Sequence, residues 1–390
     1  MMRLIKCIVL SMFFAACTKQ AEDVQVLYES DQTISIDVDK RTNIYTNTIQ
    51  YFEENGRSFI ALENNYGQVD ASIDIYSLDS CRLDSRVPVR LDGSLGFSAF
   101  SGFCRLSADS YVLGNHNVLK YRFVNSDGVL CRTIDHSEDS LGRIVLSSLI
   151  ETFISSPFVM RGEKIYCRRP IPLTRWNNDL EFGNNFEFSE CPVCAVLDTA
   201  TNEYVELPAK YPILYSKDDN VHSEHCSWTT CDGDFVYGFL FSDSIYVANE
   251  SHDMLKAYYA GSKYVSIDNK RYSRSLSMSQ SMLFADRESQ YGNLLYDEYN
   301  DVYYRFVHWP TDVKEVQPDE YRFCRKEFSI IVMDKDFNIL GEECFPAGKY
   351  APMLFFINKD GLWLSENNYE RTDMTEDKLV FRCLKLNMEL

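Results

Sequence analysis

Six times along this chain a turn rich in Gly, Asp or Asn precedes a short aromatic strand, and a second strand follows after a further turn. The first strands lie in NGRSFIALEN from Asn55, SADSYVLGN from Ser107, RGEKIYCRR from Arg161, CDGDFVYGF from Cys231, YNDVYYRFV from Tyr299 and KDGLWLSEN from Lys359. Their partners lie in SIDIYSLD from Ser72, NVLKYRFVNSDG from Asn117, PVCAVLD from Pro192, SDSIYVAN from Ser242, FSIIVMDKDFN from Phe328 and KLVFRCLKLN from Lys378. The central residues of the first strands, Ile60, Tyr111, Tyr166, Val236, Tyr303 and Trp363, are separated by 51, 55, 70, 67 and 60 residues. Each interval has room for about four strands of 5–6 residues with their turns. A unit that recurs from end to end, with no helical period between its copies, predicts an all-β chain. The expected form is a β-propeller of about six four-stranded blades. A generic β-sandwich and a two-domain β protein are the competing readings, and neither explains why the unit recurs over the whole chain.

Strand-level patterns agree. In NVLKYRF, Leu119, Tyr121 and Phe123 share one face, and Lys120 and Arg122 the other. FSIIVM is apolar on both faces, as a strand inside a sheet is. Asn55-Gly56, Asp127-Gly128 and Asp360-Gly361 are hairpin turns. The 25 Tyr and 25 Phe suit pleated, half-buried surfaces. A ring must hide its edge strands. The early strands in VQVLYES and TISIDV are therefore expected to pair with the last blade near VFRCLKL, making residues 24–390 one domain.

Three stretches interrupt the pattern. Residues 137–156 place Val145, Leu149 and Phe153 at helical spacing and predict a short helix. Residues 174–190 are polar and aromatic with little periodicity and read as a long loop. Residues 273–289 read as a further insertion with one helical turn. Long loops on a rigid scaffold are where binding residues concentrate.

The chain starts MMRLIKCIVLSMFFAAC. Two basic residues, Arg3 and Lys6, precede the apolar run Ile8–Phe14, and the small residues Ala15 and Ala16 lead to Cys17. That order is a secretory signal. The run is shorter than the roughly 20 residues that cross a bilayer. Phe14-Ala15-Ala16-Cys17 resembles the bacterial lipobox, with Phe14 in place of the usual Leu. The expected boundaries are a signal peptide over 1–16, a tether over 17–23 and the propeller from 24, with Cys17 as the lipid attachment residue. A plain secreted chain with an incidental Cys17 is the alternative. Buried acyl chains, at about 0.8 kcal/mol per CH₂, would hold the domain to a membrane. The acidic pair Glu22 and Asp23 behind Cys17 is either a surface-export tag or a solvated tether.

Without residues 1–16 the formal net charge of −19 becomes −21. Nucleic-acid binding needs clustered Lys and Arg, so that class of partner is excluded. Of 13 cysteines, Cys7 leaves with the signal and Cys17 carries lipid, so eleven remain and a fully paired disulfide framework is impossible.

RLDGSLGFSAFSGF (90–103), YDEYNDVYYRFVHWP (296–310) and the closing GLWLSENN…DKLVFRCLKL resemble an uncharacterised lipoprotein family of gut Bacteroidetes, labelled only as a domain of unknown function and regarded as TolB-like six-bladed propellers. The resemblance covers most of the mature chain. It implies a propeller and a lipid anchor, and it brings no activity and no catalytic residues.

Candidate chemistry is sparse. Cys191-Pro-Val-Cys194 is a CxxC, but it runs into a strand rather than a helix N-terminus, which argues for core cysteines rather than redox chemistry. His222, His225, Cys226 and Cys231 could ligate zinc with Cys191 and Cys194, yet their spacing matches no standard finger. The motifs GxSxG, GxGxxG, HExxH and the Walker loop are absent. No cofactor, metal ligand or catalytic residue is therefore assigned. Among Trp176, Trp228, Trp309 and Trp363, Trp176 in its polar loop is the candidate ligand-binding residue, and Trp363 reads as core. Arg305 reads as a partner of a channel carboxylate or of a neighbouring blade. The expected function is a lipid-anchored cell-envelope propeller that binds a protein or a glycan. The alternative is an enzyme acting on carbohydrate or lactone substrates in a central channel.

Overall fold

The computed structural model describes residues 25–387 apart from 47, 66–69, 91–99, 116–118, 139–151, 153, 170–172, 177–178, 183–187, 213–219, 222–224, 254, 268–271, 274–277 and 316–322. Cys17 and His222 lie outside the described residues, as do Val145, Leu149 and Phe153.

Six four-stranded antiparallel sheets follow one another along the chain. From innermost to outermost strand, the first blade is Ile49–Glu54, Arg57–Asn64, Asp70–Ser77 and Arg82–Arg90. The second is Phe100–Ser107, Ser110–Asn115, Lys120–Val124 and Leu130–Asp135, and the third Val159–Arg161, Lys164–Arg168, Cys194–Asp198 and Tyr204–Glu206. The fourth is Cys226–Cys231, Asp234–Phe239, Ser244–Ala248 and Leu255–Tyr259, and the fifth Gln290–Asp297, Val302–His308, Phe328–Asp334 and Ile339–Phe345. The sixth takes Ala351–Asn358, Gly361–Ser365 and Lys378–Leu386 from the end of the chain and its outermost strand, Leu27–Asp37, from the start. The register of this closure runs from Leu27 opposite Leu386 to Asp37 opposite Lys378. The six-bladed propeller read from the repeats is present, and its ring closes through the strand expected to close it.

Each of the six recurring hairpins is the second and third strand of one blade. The central residues Ile60, Tyr111, Tyr166, Val236, Tyr303 and Trp363 all sit on second strands and are 0 to 4% exposed. These middle strands bury both faces because each blade packs against two neighbours. The core is accordingly a ring of six apolar clusters, one at each blade interface. Asn55 and Gly56, with φ of 53° and 73°, form the two-residue turn their sequence predicted.

Burial on both faces also produces one departure. Arg122, placed with Lys120 on a polar face by alternation, is 2% exposed. Its strand is third of four, so the face opposite Tyr121 meets the first blade instead of water, and burial lowers the guanidinium pKa.

All eleven described cysteines are free thiols. Burial pushes the thiol of Cys104 up to about 11 and that of Cys167 up to about 12, which keeps both as unreactive thiols at neutral pH. Cys131 and Cys344 are exposed. In a chain starting at residue 25, a maleimide is expected to modify Cys131 and Cys344 under native conditions. Cys104, Cys167 and Cys194 should react only after denaturation. Peptide mass spectrometry reads the difference.

Candidate interaction face

Antiparallel connectivity sorts the loops onto two faces. First-to-second and third-to-fourth strand turns lie on one face, and they are two to six residues long. Second-to-third strand loops and blade-to-blade connections lie on the other. Among them are segments of 23 residues (136–158), 25 (169–193), 19 (207–225), 30 (260–289) and 19 (309–327). All three insertions read from the sequence therefore share one face of the ring. Both ends of the described residues lie on the opposite, short-turn face. Leu27 and Leu386 are paired there, and Asn387 N–H donates to the Val26 carbonyl at 3.0 Å.

The long-loop face has structure of its own. Residues 174–190, expected to be a loop, carry a hairpin of Leu173–Trp176 and Asp179–Phe182 followed by a short 3-10 helix, Phe188–Glu190. Four-residue strands leave too little alternation to register as a period. Trp176 pairs with Asp179 as the last pair before the hairpin tip. A second small sheet, Asn220–Val221 with Tyr272–Ser273, joins two neighbouring connections. The single helical turn expected within 273–289 is a ten-residue helix, Met278–Arg287. Its end is tied to the fifth blade's loop, where Thr311 N–H donates to the Arg287 carbonyl at 3.0 Å and Arg287 Nε donates to the Val313 carbonyl at 2.7 Å. Asp286 of the helix, His308 and Lys326 are each at most 1% exposed, and His308 stacks on Phe323 with centroids 4.1 Å apart. These side chains are shut off from solvent and act as scaffold for the loops.

The central channel is occupied. Thr152 forms a parallel bridge with Gly102 on the inner strand of the second blade. Three residues further along the same segment, Ser155 O accepts the Trp228 backbone N–H at 2.9 Å on the inner strand of the fourth blade. Trp228 Nε1 donates to the Pro157 carbonyl at 2.8 Å. Ile154 packs against both clusters that flank the sixth blade. A segment touching the second, fourth and sixth blades of one ring has to cross its middle. Thr152 and Ser156 are each 2% exposed, and Phe158 N–H donates to Thr152 Oγ1 at 2.8 Å. The described end of that region, residues 152 and 154–158, is thus a plug and carries no helix.

Gly102 makes the plug possible. It sits in a bulge of its strand with φ of 77°, and a Cβ there would lie 2.1 Å from Thr152 O. The bulge frees its N–H to donate to Glu63 Oε2 of the first blade at 2.8 Å. Sequence reasoning missed Gly102, Thr152 and Glu63. A lone glycine inside a strand pattern, as in FSGF, is the signal for such a close backbone approach.

The remaining sequence candidates are scattered. Trp228 is 1% exposed and held by the plug, and Trp363 is buried with Nε1 donating to Asn358 Oδ1 at 2.8 Å. Trp309 donates to Ser329 Oγ at 3.1 Å and packs on Tyr264. Arg305 is fully buried. It donates to the Ala260 carbonyl at 2.8 Å and the Ser242 carbonyl at 2.7 Å, with its guanidinium 3.4 Å from the Tyr291 ring centroid. It staples the fourth blade to the fifth. Cys226 and Cys231 stand at opposite ends of one strand, about 17 Å apart at the usual rise. Cys194 is buried, which pushes its thiol well up. Among the described residues no group of three or more His, Cys, Asp or Glu is placed to hold a metal ion. A lateral cleft of about 450 Å³ runs between the third and fourth blades beside Lys210, Tyr246 and Asp253.

These features define a class: a six-bladed propeller with a filled channel and all its elaboration on one face. Residues 24–344 match the family described as a domain of unknown function (DUF4221), and the chain belongs to that family. It is similar to the crystal structure of a DUF4221 family member from Bacteroides vulgatus, with a TM-score of 0.80 at 24% identity over 93% of this chain and 99% of that one. More remote likenesses are a quinohemoprotein alcohol dehydrogenase from Pseudomonas putida (TM-score 0.42, 8% identity, 87% of this chain and 65% of that one) and the WD40 domain of Toxoplasma gondii coronin (0.38, 8%, 93% and 86%). No curated protein matches the chain.

Proposed function

We propose that this chain is a lipid-anchored cell-envelope propeller, held to the outer membrane through Cys17, that binds a protein or glycan partner on its long-loop face and performs no chemistry in its channel. The observation that carries this reading is the Thr152–Phe158 plug. An enzyme working on carbohydrate or lactone substrates at the ring centre needs that space open. The elaborated face, by contrast, offers loops braced by small sheets and a helix, which is how rigid scaffolds present binding residues. Trp176, next to a hairpin tip on that face, is the residue assigned to ligand contact.

Thermal-shift screening of residues 25–390 against glycans, lactones and isolated envelope proteins tests the binding half. A ligand at about 100 times its Kd should stabilise the fold by about 2.7 kcal/mol, and Trp176→Ala should weaken binding at least tenfold. Turnover of a saccharide or lactone, or a ligand lost only through short-turn-face substitutions, would overturn the reading. The anchor has a separate test: Cys17→Ser should move the protein from the membrane fraction to the soluble fraction, and unchanged fractionation refutes lipid attachment.

A further inference from the structure

We infer that the outermost strand of the fourth blade, Leu255–Tyr259, is a docking edge where an extended segment of a partner protein adds a fifth strand to the blade. The site is on the side of the ring, is separate from Trp176, and stands whether or not the long-loop face binds a ligand. The inward side of the strand is paired with Ser244–Ala248 in an unbroken antiparallel ladder. Just beyond it, Ala260 N–H donates to the Asp243 carbonyl at 2.7 Å. Ladder bonds recur at every second residue, so Tyr258 and Lys256 carry the inward ones. The backbone N–H and C=O groups of Leu255, Ala257 and Tyr259 therefore point outward, and among the described residues nothing pairs with them.

The other five outermost strands are guarded against such pairing by bulges, prolines, charges or shortness. Arg82–Arg90 holds Pro88 and four charged residues. Leu130–Asp135 and Ile339–Phe345 have bulged ladders and carry carboxylates. Leu27–Asp37 is bulged between Glu29 and Thr33, and Tyr204–Glu206 has three residues and runs on to Pro208. Leu255–Tyr259 has no bulge, no proline and no carboxylate, and its Leu255 and Tyr259 are 36% and 66% exposed. Its two faces define what can pair with it. Leu255 and Ala257 line the cleft of about 450 Å³ between the third and fourth blades, opposite Pro208 and above the half-buried Tyr246. Tyr258 packs on Phe337 of the fifth blade with centroids 4.6 Å apart, and the exposed Lys256 shares that side, its Nζ 4.5 Å from the Tyr258 ring centroid. A strand laid along this edge turns alternate side chains toward the cleft, where aliphatic ones are buried, and a carboxylate opposite Lys256 adds a favourable cross-strand pair. The partner segment is thus an extended stretch of alternating aliphatic and polar residues that includes Asp or Glu. Main-chain bonds hold such a segment and the side-chain pockets select it.

The probe is the peptide fluorescein-Thr-Val-Thr-Ile-Glu-Val-Thr-amide, which in antiparallel register sets its Ile opposite Ala257 and its Glu opposite Lys256. Fluorescence anisotropy with the full chain in detergent should show saturable binding below about 1 mM. N-methylation of the Ile and both Val, whose N–H groups face the edge, should weaken binding about tenfold or more. N-methylation of the Glu and of the Thr before Ile, whose N–H groups face away, should leave it within about twofold. Lys256→Glu should reverse the preference in favour of a peptide with Lys in place of Glu. Ala257→Pro removes an outward N–H and no ladder bond, so binding should be lost with the thermal midpoint unchanged. If that variant does not fold, the two methylation patterns on the unaltered chain decide alone. Equal weakening by both patterns, or no binding up to about 1 mM, overturns strand addition. A dimer in sedimentation that Leu255→Asp abolishes would mean that a second copy of this chain takes the edge, which overturns the partner reading.

Discussion

A chain starting at residue 39 should fail to fold cooperatively, while one starting at residue 25 folds. The missing piece is the outermost strand of the sixth blade, paired with Lys378–Leu386 at both of its ends. Val26, Leu27 and Ile36 are completely buried and Val38 is 7% exposed. Burial of such side chains stabilises by about 1.5–3 kcal/mol each, so the four together contribute about 6–12 kcal/mol. That is comparable with the whole net stability of a typical domain, about 5–15 kcal/mol. The loss is also topological. Val26 and Leu27 belong to the cluster between the fifth and sixth blades, Ile36 and Val38 to that between the sixth and first. Deletion opens both interfaces and bares a long apolar edge, the usual route to aggregation. The comparison is made by urea unfolding with circular dichroism, and by adding a peptide of residues 25–38 to the shortened chain. Equal stability of the two chains would show that the ring does not depend on its closing strand.

That strand also marks where the sequence stops being legible. The middle hairpins of each blade could be read because both faces are buried, so apolar and aromatic residues are dense there: Phe328–Asp334 is buried at six of its seven positions. The outermost strands alternate weakly because they meet water. Leu27–Asp37 reads LYESDQTISID and is exposed or half-exposed at nine of eleven positions. The innermost strands are short or bulged. Val159–Arg161 has three residues, and the strands holding Gly102 and Met353 lose register at those points. Period-2 patterning cannot register a strand of three residues or one interrupted by a bulge. The candidate face was legible as an excess of loop in the right places. Its geometry was not, since a plug is defined by contacts among Gly102, Thr152 and Trp228, which lie far apart in sequence and carry no shared period.

The plug supplies the second large effect. Gly102→Ala is expected to destabilise the protein by about 3 kcal/mol or more, and to release Thr152–Phe158 from the channel. Part of the cost is local, because an L residue held at φ of 77° pays about 1–2 kcal/mol. The rest is contact. The added Cβ would lie 2.1 Å from Thr152 O and 2.9 Å from its carbonyl carbon, and backbone cannot rotate aside as a side chain does. If Thr152 retreats, the buried Trp228 N–H and Nε1 lose Ser155 O and Pro157 O as the segment moves, and each unpaired buried donor costs about 1–3 kcal/mol. Gly56→Ala separates the two contributions. Gly56 has nearly the same φ, 73°, but a Cβ there meets nothing within 4 Å, so its cost should stay near the backbone strain alone. Denaturation midpoints compare the pair, and limited proteolysis reports the plug, with cleavage between residues 152 and 158 accelerated in Gly102→Ala and unchanged in Gly56→Ala. Equal losses in the two variants, with the segment still protected, would mean that Gly102 serves only its own backbone angle. Were the segment released and the ring still folded, the opened channel could be assayed directly for saccharide and lactone turnover. The binding reading expects none.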